Sequence, residues 1–170
     1  MKIIVAQKTL EDASEVLARI RRELKVEPIV KDILKEKKYP SEILDGIPIK
    51  FSDDLDVSAK TVNSEIELNK KLLSEPFEII MRYVVHELVH AFQHMDKEGK
   101  KDNNKAKDYL DNPDEVEAFS TQVAYDAKER GEDAAIEYVE DLIEYHEIPE
   151  GDKVQKKEEL TEKMKTENIS

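Results

Sequence analysis

Between Glu75 and Met95 the chain carries less charge than anywhere else along its length, although 39 % of its 170 residues are charged. Apolar side chains occupy most of the circumference that a helix over this stretch would have, and Ser74-Glu75-Pro76 supplies a start for it. Such a helix is stable only when enclosed, so the rest of the chain has to wrap around it. Inside it stands His86-Glu87-Leu88-Val89-His90, the spacing by which a helix binds zinc through two imidazoles. Four residues at about 100° each bring His86 and His90 onto one face, one turn apart, where both can present a ring nitrogen to a single Zn2+. Glu87 falls on the adjoining flank, placed to take a proton from a metal-bound water and later pass it to a leaving amine. Burying two imidazoles and a carboxylate between Tyr83-Val84-Val85 and Ala91-Phe92 without partners would cost several kcal/mol, and a metal removes that cost.

Around this helix the sequence predicts an α+β fold. Leu10, Ala13, Val16, Leu17, Ile20 and Leu24 recur at helical spacing, with Thr9 and Asp12 as a variant capping box, and Pro28 opens a second helix that Tyr39-Pro40 ends. Ile47, Ile49 and Phe51, then Val57, Ala59 and Thr61, alternate with polar residues as strands do. Asn63-Ser64 makes a turn before Glu65-Ile66-Glu67-Leu68, so 57–68 reads as a hairpin within a small antiparallel or mixed sheet. Residues 97–108 read as a polar loop, and Asn112-Pro113-Asp114-Glu115 supplies a cap, a first-turn proline and early acids for a further helix. Residues 1–148 are thus expected to form one domain: N-terminal helices over 9–38, a sheet over 47–68, the histidine helix over 75–95, the Asn-Pro helix over 113–130 and a last helix over 132–146. Residues 149–170 are expected to be a peripheral charged tail.

Two histidines do not complete a catalytic zinc site, which takes three protein ligands and keeps a position for water. His94 continues the spacing, but the ~1.5 Å rise puts it about 12 Å from His86, beyond the reach of one ion. The histidine pair, followed by a helix opening at Asn112-Pro113-Asp114-Glu115-Val116-Glu117-Ala118-Phe119, resembles the gluzincin branch of the zincin metallopeptidases over residues 57–119, and among them the minimal gluzincins and the phage and mobile-element metallopeptidases. The resemblance implies a zincin-like α+β domain whose second helix lends a glutamate as third zinc ligand. Glu115, with small Ala118 three residues on, fits that pattern; Glu117 with Ser120 competes, about 200° away around the helix. The Asn-Pro start fixes Glu115 in the first turn and favours it. Gluzincins often carry an acid four residues after this ligand, where Phe119 stands here, which leaves Asp108, Asp111 or Glu117 to support a zinc-bound histidine. The resemblance further implies an edge strand for an extended peptide, for which residues 65–68 are the candidate, and an oxyanion donor, for which Tyr109, Tyr125 and His146 are candidates.

The function these residues predict is a zinc-dependent metallopeptidase hydrolysing peptide bonds, with His86, His90 and Glu115 holding Zn2+ and Glu87 activating water. The alternative is a catalytically silent, zinc-stabilised binding or regulatory module of the same fold. Composition narrows the remaining classes. The chain has no cysteine, which excludes disulfides, thiolate metal sites and cysteine nucleophiles. Its four glycines form no phosphate-binding loop. A formal net charge of −13 disfavours nucleic acid and anionic membrane surfaces as partners, and the resemblance implies a peptide or protein substrate. Met1-Lys2-Ile3-Ile4-Val5-Ala6-Gln7 is too short an apolar run for a signal peptide or a membrane span, and a cytoplasmic location is expected.

Overall fold

The computed structural model describes residues 2–97 and 109–169, with side chains over 13–97 and 110–164. The chain is α+β, and its contacts group it into two compact units, Met1–Ala91 and Phe92–Ser170.

The first unit opens with α1 (Lys2–Val26), which contacts α2 (Pro28–Lys37) and the first strand. The helix begins well before the Thr9–Asp12 pair expected to cap it. No glycine or proline interrupts residues 2–26, so nothing stops the helix from propagating through Ile3, Ile4 and Val5. At the next junction Glu27 is fully buried and its carboxylate accepts from the Ile29 amide, while Pro28 sits in the first turn, where its missing N–H is harmless. Lys38 closes α2 in the left-handed conformation, φ 61°.

Three strands follow: β1 (Ile49–Ser52), β2 (Ala59–Val62) and β3 (Glu65–Asn69), in the order β1-β3-β2. β2 and β3 form the expected hairpin, turned at Asn63 and Ser64 with φ of 51° and 66°, the two positive values a two-residue type I′ turn requires. β3 then pairs with β1 in parallel, so the sheet is mixed. This corrects the expectation that 65–68 is an edge: both sides of β3 are taken, and the edges are β1 and β2. Cross-strand rows explain the alternation. Ile49, Ile66 and Thr61 share one row and Phe51, Leu68 and Ala59 the next, on the face where Ile66 and Leu68 are fully buried. The opposite face carries Lys50 and Lys60 against Glu67, at 3.7 and 3.9 Å.

Next comes α3 (Phe77–Asp96), which buries Ile80, Met81, Val84, Val85, Leu88, Val89, Ala91 and Phe92. Side chains of that spacing cover every side of a helix, as the low charge of the segment requires. The sheet meets it through the hairpin: the Thr61 hydroxyl lies 3.1 Å from the Glu87 carbonyl, and the Ser64 hydroxyl donates to the Ala91 carbonyl.

In the second unit, α4 (Pro113–Arg130), α5 (Glu132–Tyr145) and α6 (Lys153–Ile169) close around one apolar cluster that includes Leu110, Phe119, Val123, Val139, Ile143, Leu160 and Met164. Asn112 caps α4 by accepting from the Asp114 amide, and Pro113 takes its first position. Gly131, at φ 98° and ψ 153°, joins α4 to α5 through a conformation that side chains resist. The segment expected to be a charged tail is α6. Its charge conceals an inward stripe: Lys156, Leu160 and Met164, four residues apart, are 9 %, 0 % and 2 % exposed. Lys156 is buried and donates from Nζ to the Leu110 carbonyl and to Glu159. The loop expected over 97–108 lies, beyond Lys97, outside the described residues. Among the described residues, no helix is long and apolar enough to cross a membrane.

Candidate metal centre

Because α3 is unbroken from Phe77 to Asp96, His86 and His90 lie one turn apart on the same side, their ring centroids 5.0 Å apart and their planes at 67°. His86 is buried and His90 half-buried. The glutamate comes from the first turn of α4, whose start is set by Asn112 and Pro113. That turn is tied to the last turns of α3: the Gln93 amide donates 2.9 Å to the Asp114 carbonyl and 2.8 Å to Glu117 Oε1, and the Lys97 ammonium pairs with the Asp114 carboxylate.

His86, His90 and Glu115 each offer one ligand atom, and these atoms all lie within 4.8 Å of one another. The group could hold a metal ion. A tetrahedral centre with bonds of about 2.0–2.2 Å spaces its donors roughly 3.3–3.6 Å apart. Donor atoms this near to one another can converge on a single ion. Two imidazole nitrogens and a carboxylate oxygen form a donor set that zinc accepts. His90 and Glu115 are both half-buried, so the group is not sealed from solvent.

Glu117, the rival ligand, is engaged by Gln93 instead. His94 is half-buried on α3 and does not belong to the group. Phe119 points into the apolar cluster, which accounts for an aromatic where the resemblance leads one to expect an acid. Of the three acids that could have taken that supporting place, Asp111 faces Lys156 at 3.6 Å, Glu117 accepts from Gln93, and Asp108 lies outside the described residues. Among the oxyanion candidates, Tyr125 stands ten residues along α4 from Glu115, about 15 Å by helical rise, and donates to Glu129, so it is too remote. His146 caps the end of α5 with its ring against Tyr145. The Tyr109 side chain is outside the described set.

Glu87 is 7 % exposed, and the Thr61 hydroxyl lies 2.8 Å from its Oε1. Thr61 and Gln93 are the two residues at the site whose roles the sequence did not disclose. Gln93 left a signal, an amide in an otherwise apolar helix that must find partners once buried. Thr61 left only its place in the alternating pattern of β2. On the N-terminal side of Glu87, one turn back, Tyr83 and Arg82 line an open cleft of about 530 Å³ with Ser58 and Asn69. No family model, curated protein or solved structure matches the chain. The reading of the site therefore rests on its own residues.

Proposed function

We propose that the chain is a zinc-dependent metallopeptidase of the gluzincin type, with a zincin-like arrangement of its hairpin, α3 and α4. The observation that carries this reading is the convergence of one ligand atom from each of His86, His90 and Glu115 within 4.8 Å, beside a buried glutamate adjacent in sequence. Those three side chains hold the ion. Zinc, when bound, supplies Lewis acidity: it polarises a carbonyl oxygen and makes water easier to deprotonate. Glu87 accepts the proton of the attacking water and delivers it to the departing amine, the two tasks of one general base and acid. Among the described residues no strand pairs with the outer side of β2, and an extended peptide adds there through main-chain hydrogen bonds, with modest demand on sequence. Its scissile bond then passes the Glu87 side of α3, which β2 already touches through Thr61.

The test is elemental and kinetic together. Protein purified without added metal carries one equivalent of zinc, lost in His86→Ala, and hydrolyses unfolded casein. Glu87→Gln keeps the zinc while hydrolysis falls by about 10²–10⁴-fold, the usual contribution of a positioned base. Hydrolysis retained in Glu87→Gln overturns the general-base assignment. Stoichiometric zinc in a protein that cleaves neither casein nor a peptide mixture overturns the enzymatic reading and leaves the silent, zinc-stabilised module.

A further inference from the structure

We infer that Thr61 is a positioning residue that orients the Glu87 carboxylate from the edge strand β2, an inference that rests on the hydrolytic role proposed for Glu87. The Thr61 hydroxyl has one proton and two acceptors near it, Glu87 Oε1 at 2.8 Å and the Glu87 main-chain carbonyl at 3.1 Å. The carboxylate oxygen is the closer of the two acceptors, so it takes the proton. The pairing follows from the fold. In the β2–β3 register Thr61 lies opposite Ile66, whose side chain is fully buried, and so shares the face that the sheet turns toward α3.

A glutamate has three side-chain torsions, and a general base works only in the few combinations that put an oxygen within reach of the proton. At 7 % exposure Glu87 has little water to orient it. Fixing Oε1 through Thr61 leaves Oε2 to collect the proton and removes most of the other combinations. The same residue also belongs to the strand along which an extended peptide would lie. A substrate that straightens β2 therefore adjusts the base in the same movement, and one that binds without engaging β2 does not.

A hydroxyl that orients the base affects turnover more than binding. Thr61→Val, which keeps the branched shape and loses the hydroxyl, is expected to lower kcat on a fluorogenic peptide about tenfold, with KM changed less than twofold and zinc content unaltered. Thr61→Ser, which restores the donor, is expected to return kcat to within a factor of about two to three. A second reading needs no turnover: in metal-free protein, Thr61→Val lowers the melting temperature in the wild-type background and has little further effect in Glu87→Ala, because the partner is already gone. Full activity in Thr61→Val, or equal decrements in both backgrounds, overturns the assignment of Thr61 while Glu87→Gln remains inactive. Activity retained in Glu87→Gln overturns the hydrolytic role itself, and the positioning role with it.

Discussion

Replacing Gln93 with leucine removes the amide that fastens α3 to the start of α4 while conserving most of the volume. Gln93 is 5 % exposed and donates to the Asp114 carbonyl and to Glu117 Oε1. A neutral hydrogen bond contributes about 1 kcal/mol and one to a carboxylate about 1.5–3 kcal/mol. Glu117 is half-buried and recovers water when the amide is lost, which brings the expected destabilisation to about 2 kcal/mol. Most of this loss falls on the turn that carries Glu115, so the effect on metal is the more telling one. Residues that support ligands without touching the ion typically contribute 10–100-fold to affinity, and a drop of about tenfold in zinc affinity is expected for Gln93→Leu. Competition against a chromogenic chelator measures it, with far-ultraviolet circular dichroism to show that helix content is retained. Glu117→Gln, which keeps an acceptor for the Gln93 amide, should bind zinc nearly as wild type does. Unchanged affinity in Gln93→Leu would refute the view that this pair sets the position of Glu115.

The two glutamates are separated directly by substitution: Glu115→Ala should reduce zinc occupancy, measured by elemental analysis, far more than Glu117→Ala, and the reverse order would move the third ligand. Leu160→Ala in α6 opens a cavity in the apolar cluster of the second unit and is expected to cost about 2–5 kcal/mol in urea unfolding, whereas a peripheral tail would register almost nothing. Gly131→Ala meets no atom within 4 Å of the added Cβ, so its expected cost of about 1–3 kcal/mol is backbone strain alone, read by thermal melts.

Where local chemistry decides structure, the sequence sufficed. Asn112-Pro113 fixed the first residue of α4, Asn63-Ser64 fixed the turn between β2 and β3, and the sparsely charged run at 75–95 located α3, all through rules that act within a few residues. What it did not disclose depends on partners far along the chain. Nothing local tells β1 to pair with β3 across the intervening β2, which is why 65–68 read as an edge. The buried positions of α6 among the described residues, Lys156, Leu160, Thr161 and Met164, are scattered among many charges, and one of them is a lysine whose stem is buried while its ammonium reaches Leu110. At the site, helical geometry brought His86 and His90 together, but the contact of Thr61 with Glu87 joins residues 26 apart in sequence and emerges only from the strand register.

Helix α4 encloses nine consecutive residues, Ala118 to Asp126, polar Ser120, Thr121 and Gln122 among them. A rod gripped on all sides cannot spin about its own axis, so the bearing along which Glu115 leaves it is locked by neighbours up to three turns distant. Inserting a single residue just after Glu115 would swing that carboxylate by about 100° relative to the gripped portion, a misalignment that no adjustment of side-chain torsions at the histidines could recover.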